Sequence, residues 1–207
     1  MKEQIARQLL DVQAVKLRPD DPFTWSSGWL SPIYCDNRVT LSFPTVRTFI
    51  KNALADAIRL HFPTVDIIAG VATAGIAQGA LVADVLEIPY CYVRPEPKKH
   101  GMGNQIEGRF EGGMKVVVIE DLISTGGSSL KVVEALRRAG AEVLGMVAIF
   151  TYGFPLATAN FEAADVPLIC LSDYTALIDE ARRMNFVEEE QLASLAAWRS
   201  DPASWGN

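Results

Sequence analysis

From residue 65 onward the chain repeats one pattern: a short apolar run, then a turn or loop rich in small residues, then a segment with helical periodicity. The apolar runs are VDIIAG, PYCYV, KVVVI, EVLGMVAIF and PLICL. Helical patterns fall near residues 75–86 and 128–139, the second closed by Gly140. Strands that alternate with helices are joined by right-handed crossovers, which lay the strands parallel and put helices on both faces. The prediction is an α/β fold with a central, mostly parallel five-stranded sheet flanked by helices. The first sixty or so residues do not follow this rhythm. Ile5, Leu9 and Val12 share a helical face, FTWSSGWLSPIYCDNRV reads as short strands around turns, and Ser42 and Pro44 open a helix to about Leu60. They predict a small N-terminal α/β cap. The expected division of a single domain over residues 1–207 is a cap at 1–62, a core sheet at about 63–175 and closing helices at about 176–207.

Bulk properties exclude several functions. The 207 residues carry a formal net charge of -6, which argues against nucleic acid as a partner, since that needs a broad basic surface. Three dispersed cysteines, Cys35, Cys91 and Cys170, read as reduced thiols of a cytoplasmic protein. The N-terminus lacks the apolar core of a signal peptide. Residues 143–161 contain no charge, but Gly145, Gly153, Pro155 and Asn160 interrupt them. A core strand followed by a turn is the reading, not a membrane span.

The strongest chemical signal is KVVVIEDLISTGGSSLKVVEAL. A strand ends in Glu120 and Asp121, a short loop covers residues 122–127, and a helix starts at Ser128. Ligands of open α/β sheets sit beyond the carboxyl ends of the strands. Gly126 and Gly127 let consecutive N–H groups converge, the helix N-terminus adds partial positive charge, and Ser124, Thr125 and Ser128 add hydroxyls. This is a phosphate cradle without the lysine of a Walker A loop. Two carboxylates beside a phosphate are tolerable if they meet sugar hydroxyls or a metal, so a sugar phosphate fits. The alternative is a capped strand–helix turn with solvated acids.

Two further loops carry weaker signals. CYVRPEPKKHGMGNQIEGRF concentrates Arg94, Lys98, Lys99 and His100, a cluster suited to a pyrophosphate leaving group, or else a solvated surface loop. GVATAGIAQG reads either as a loop approached closely by phosphate or as tight strand–helix packing.

EDLISTGGSS resembles the PRPP-binding signature of the type I phosphoribosyltransferases, where PRPP is phosphoribosyl pyrophosphate. Over nearly the whole chain the sequence is similar to the orotate phosphoribosyltransferase family, through FTWSSGWLSPIYCDNR, RPEPKKHGMGNQIEG and TYGFP. The resemblance implies the type I phosphoribosyltransferase fold and transfer of a phosphoribosyl group from PRPP to orotate. It implies PRPP contacts from Arg94, Lys98, His100, Glu120, Asp121, Leu122, Ile123, Ser124, Thr125, Gly126, Gly127 and Ser128. Lys98 and Asp121 would be catalytic, and Ser124 would contact orotate, ahead of Tyr34 and Cys35. Mg²⁺ would arrive mainly on PRPP, with no residue assigned as a metal ligand. A homodimer would share its active sites through a mobile loop at residues 94–113. The chain departs from the pattern: Ser26, Pro95 and Ala74 stand at or near family lysines, and no arginine follows the fourth strand at residues 151–154. Two rival readings are a transferase for another base and a non-catalytic PRPP sensor. A substrate panel separates the first and a nucleic-acid shift assay the second.

Overall fold

A computed structural model describes residues 1–25, 28–94, 96 and 105–206 of the chain. The N-terminal elements are α1 (Lys2–Asp11), β1 (Val15–Leu17), β2 (Phe23–Thr24), β3 (Leu30–Ser31), β4 (Ile33–Cys35), a 3-10 helix (Asn37–Ser42) and α2 (Pro44–His61). β1 pairs antiparallel with β4, and β2 with β3. The remainder runs β5 (Ile67–Val71), α3 (Ala74–Leu86), β6 (Tyr90–Val93), β7 (Ile106–Glu107), β8 (Lys115–Ile123), α4 (Gly127–Arg138), β9 (Glu142–Thr151), α5 (Pro155–Ala163), β10 (Leu168–Asp173) and α6 (Tyr174–Arg183). A short 3-10 turn (Glu189–Gln191) then leads into α7 (Leu192–Ser200).

The five anticipated strands are present and parallel, in the order β10-β9-β8-β5-β6. The sheet nevertheless has six strands, not five. β7 adds an antiparallel edge to β6, pairing Tyr92 with Glu107 and Val93 with Ile106. Two residues inside a polar, glycine-rich stretch carry no periodicity to read, and such short edge strands present little unpaired backbone. A second difference is α5. Pro155 looks like a turn signal but occupies the first turn of a helix, where its missing N–H and fixed φ cost nothing.

The strand period of two explains the layering. Val117 and Ile119 of β8 join Ile68, Val147 and Ile149 in a core shared with α1, α2, α6 and α7. Val116 and Val118 join Ile67, Ala69, Met146 and Ala148 against α4 and α5. Parallel strands buried on both faces read as continuous apolar runs for this reason. α1 closes the chain onto α6: Arg7 lies 2.6 Å from Glu180, which Arg183 also approaches at 3.2 Å. No helix among the described residues is long and apolar enough to cross a membrane.

The register of β8 against β9 shifts between Val116 and Val117, which pair with Val143 and Gly145. Gly145 lies in close packing: a Cβ there would fall 2.5 Å from the Phe62 ring and 2.8 Å from the Pro167 carbonyl. Gly145→Ala should therefore destabilise the fold by about 1–3 kcal/mol, the range for overpacked cores. Urea denaturation measures this, and an unchanged midpoint would contradict the packing described.

Candidate functional site

The parallel arrangement brings the carboxyl ends of β5, β6, β8, β9 and β10 to one edge of the sheet. β8 reaches further than its apolar run suggests, so Leu122 and Ile123 lie in the strand and not in the loop after it. Ile123 is fully buried. Its carbonyl accepts hydrogen bonds from Thr151 Oγ1 and from the Tyr152 N–H, each at 3.1 Å. The loop proper is therefore only three residues long, Ser124, Thr125 and Gly126, before α4 begins at Gly127.

Gly126 has φ +81°, which glycine adopts without strain. A Cβ on it would sit 2.5 Å from the Phe161 ring. No side chain caps the N-terminus of α4, so its first N–H groups, which lack intrahelical acceptors, remain available for an anion. Ser128 is exposed on the first turn, while Ser124 and Thr125 are half-buried. Asn160 of α5 donates to the Thr125 carbonyl at 2.9 Å and pins the loop from behind.

The two acids occupy different environments. Glu120 is 6% exposed. Its Oε1 accepts from the Asp121 N–H at 2.9 Å and its Oε2 from Ser129 Oγ at 2.8 Å. Burial, with Asp121 beside it, pushes the Glu120 carboxyl well above the usual carboxylate range. Asp121 is half-buried, and its pKa too is raised, chiefly by burial. The Asp121 carbonyl accepts from Asn37 Nδ2 at 2.7 Å. Asn37 starts a buried polar chain: Thr40 Oγ1 donates to the Asn37 carbonyl at 2.6 Å, and Gln78 Nε2 of α3 donates to Thr40 Oγ1 at 3.3 Å. Ser129, Asn37, Thr40, Gln78 and Asn160 were not anticipated. Ser129 is one residue beyond the exposed serine of the motif, Asn37 and Gln78 lie inside two of the other quoted segments without having been singled out, and Thr40 and Asn160 lie outside them.

The N-terminal segment forms the facing wall. Cys35 donates to Asn37 Oδ1 at 3.5 Å, and burial, reinforced by Asp121, raises its thiol pKa and keeps it neutral. Tyr34 is exposed and packs against Phe23 at 5.6 Å. Arg38 is held by Asp36 through two hydrogen bonds of 2.7 and 2.9 Å.

Arg94 directly follows β6. Its Nε lies 3.6 Å from Glu107. A cleft of about 610 Å³ is lined by Arg94, Ala72, Thr73, Ile76, Tyr92 and Glu96, so the second glycine loop and the start of the basic loop share one opening. The glycines of that loop also pack tightly: a Cβ on Gly75 would fall 2.5 Å from the Ile119 carbonyl. Lys98, Lys99 and His100 lie outside the described residues, as do Ser26 and Pro95. No cluster of three or more His, Cys, Asp or Glu side chains among the described residues could hold a metal.

The state of Glu120 has a measurable consequence. A carboxyl with a folded pKa above its unfolded value binds more protons when folded. Stability therefore falls as pH rises from the unfolded pKa toward the folded one. Glu120→Gln keeps the shape and can still bond Ser129. Without ligand, the variant should melt at a higher temperature than the parent at pH 8, and the gap should close below about pH 4.5, where both side chains are neutral. A variant less stable than the parent at pH 8 would contradict this.

A phosphoribosyl transferase domain profile matches residues 45–159, more than half of the chain. The orotate phosphoribosyltransferase of Cytophaga hutchinsonii is 57% identical over 203 residues, covering 98% of this chain and 97% of that protein. Among solved structures, UMP synthase of Leishmania donovani superposes with a TM-score of 0.81 at 27% identity, over 96% of this chain and 42% of that one. Orotate phosphoribosyltransferase from Aeropyrum pernix gives 0.76 at 29% identity, over 89% of this chain and 99% of that one. A strand-end acid pair, an open helix N-terminus and relatives matched almost end to end agree, and the chain belongs to the orotate phosphoribosyltransferase family of type I phosphoribosyltransferases.

Proposed function

We propose that this protein transfers the 5-phosphoribosyl group from PRPP to orotate, yielding orotidine 5′-monophosphate and pyrophosphate in the synthesis of UMP. The observation that carries the reading is the turn after β8, where Asp121 stands six residues before the uncapped, glycine-bearing start of α4 at Gly127. Its anion-binding N–H groups suit the 5′-phosphate, with Thr125 and Ser128 adding hydroxyls, and the strand-end acids suit ribose hydroxyls.

In this reaction the bond from the anomeric carbon to a pyrophosphate oxygen breaks as a bond to a ring nitrogen of orotate forms. The nitrogen's proton passes to solvent. Positive charge develops on the ribose, and negative charge grows on the leaving group. Asp121, half-buried and anchored through its backbone by Asn37, would face the positive charge. Glu120 braces the turn through the Asp121 N–H and Ser129. Arg94, Lys98 and His100 would meet the pyrophosphate, and Ser124 would present its hydroxyl to orotate. The backbone of Leu122 and Ile123, with Gly126 and Gly127, completes the cradle. Tightly held groups of this kind act by orienting both substrates and by stabilising charge where it appears.

Mg²⁺ fits this donor set as an ion carried mainly by PRPP oxygens. A hard cation bound to phosphates needs only one or two protein carboxylates, and Asp121 is the accessible one. When bound, it would neutralise charge on the pyrophosphate. A cytoplasmic location is proposed as well, consistent with three free cysteines. The partners are the two small substrates, with neither nucleic acid nor membrane.

Orotate should be consumed only when PRPP and Mg²⁺ are both present, and Asp121→Asn should lose about a hundredfold or more in kcat/KM. Asp165→Asn, at an acid remote from the turn, serves as the control. Turnover of adenine, hypoxanthine or uracil with none of orotate would overturn the assignment.

The protein is further proposed to act as a homodimer, with the loop at residues 94–113 of one subunit closing over the partner's site. The test mixes two inactive variants, Lys98→Ala and Asp121→Asn, under conditions of subunit exchange. Random mixing makes about half of the dimers mixed, each with one complete site, so about a quarter of the parent activity should return. No recovery despite demonstrated exchange would exclude shared sites.

A further inference from the structure

Arg199 belongs to α7, near the end of the chain, yet its guanidinium rests on the segment that leaves β9. Its Nε donates to the Tyr152 carbonyl and its Nη2 to the Gly153 carbonyl, both at 3.1 Å. Gly153 has φ +68°, and a Cβ built on it would lie 2.9 Å from Arg199 Nη2. The guanidinium thus occupies the space into which a side chain at residue 153 would grow. The next strand is β8: the Tyr152 N–H and Thr151 Oγ1 both bond the Ile123 carbonyl, and Ile123 immediately precedes Ser124. Arg199 therefore stands one strand across from the turn that forms the candidate site. Tyr152 connects the two, since its ring packs against Trp25 of the N-terminal segment at 5.4 Å and against Trp198, the neighbour of Arg199, at 5.6 Å.

The charge of Arg199 is not answered within the protein. Both acceptors are neutral carbonyls, and among the described residues Arg199 forms no ion pair and its Nη1 makes no hydrogen bond. Arg38 and Arg94, the other arginines near this edge, each face a carboxylate, on Asp36 and Glu107. A half-buried guanidinium without a counter-ion is unfavourable, and its planar fork matches a carboxylate. Residues 151–154 contribute no cation of their own. The mount is rigid: Trp198, fully buried beside Arg199, packs within 5.6 Å of Trp25, Tyr152, Phe154 and Tyr174. That rigidity holds the fork in place before any ligand arrives.

We infer that Arg199 binds the carboxylate of the pyrimidine substrate and so makes the site prefer orotate over bases without that group. The inference rests on the proposed reaction. The competing role is a strut that only supports residues 152 and 153.

The experiment compares the parent enzyme with Arg199→Gln and Arg199→Lys. Loss of a charge-assisted bond should raise the KM for orotate by about ten- to a hundredfold in Arg199→Gln. The KM for PRPP should stay within about twofold, and Arg199→Lys should recover part of the orotate affinity. Inhibition by uracil, which lacks the carboxylate, should change little. Equal rises for orotate, PRPP and uracil, or no rise for orotate, would assign Arg199 to the strut and overturn the inference. If Arg199→Gln does not fold, the parent protein decides: the guanidinium resonance of Arg199 should shift on adding orotate and not on adding uracil. A shift with neither, or with both alike, overturns it. A parent enzyme with no orotate turnover would defeat the proposed reaction itself, whereas an active parent with unaffected variants would defeat only the role of Arg199.

Discussion

The site depends on one residue lacking a side chain. Gly126 takes a left-handed backbone against the Phe161 ring, and that conformation turns the chain from β8 directly into α4. Any Cβ would meet the ring and would also strain the backbone, at about 1–3 kcal/mol for the conformation alone. Because the turn is this short, the strand-end acids and the helix N-terminus are held a few residues apart. A longer connection would separate the carboxylate from the anion-binding N–H groups. Asn160, donating to the Thr125 carbonyl, and Ser129, donating to Glu120, fix the turn from two sides.

Around that turn the fold supplies walls from distant parts of the chain. Parallel pairing aligns β8 with β9, so Ile123 and Thr151 end together. Antiparallel β1 and β4 bring Cys35 and then Asn37 to the Asp121 carbonyl. α7 returns Trp198 to an aromatic cluster with Trp25 and Tyr152. Large aromatic surfaces in tilted and edge contacts are costly to disturb, so the N- and C-terminal segments are coupled through the rim of the site. Glu120 shows the expense of such organisation: a nearly buried carboxyl held in place at the cost of a raised pKa.

The parallel sheet was legible because strands buried on both faces are uniformly apolar, and the five runs correspond to β5, β6, β8, β9 and β10. The turn was legible because its chemistry is local: two acids, hydroxyls and paired glycines within nine residues, 120–128. β7 was not, since two residues carry no period. α5 was hidden because a helix opened by Pro155, with no charge before Glu162, looks like a turn after a strand. The buried chain from Asn37 through Thr40 to Gln78 left no trace either, because its members are brought together only by tertiary packing. Arg199 was invisible for the same reason: its two acceptors lie 47 and 46 residues away in sequence.

The central claim is that the β8–α4 turn binds the phosphate of a phosphorylated ribose. Calorimetric titration with ribose 5-phosphate, which carries that phosphate and no pyrophosphate, tests it most directly in the parent protein and in Gly126→Ala. The account predicts binding by the parent and a loss of at least about tenfold in affinity in the variant, while a cooperative melting transition persists. Equal affinity in the two proteins would contradict it.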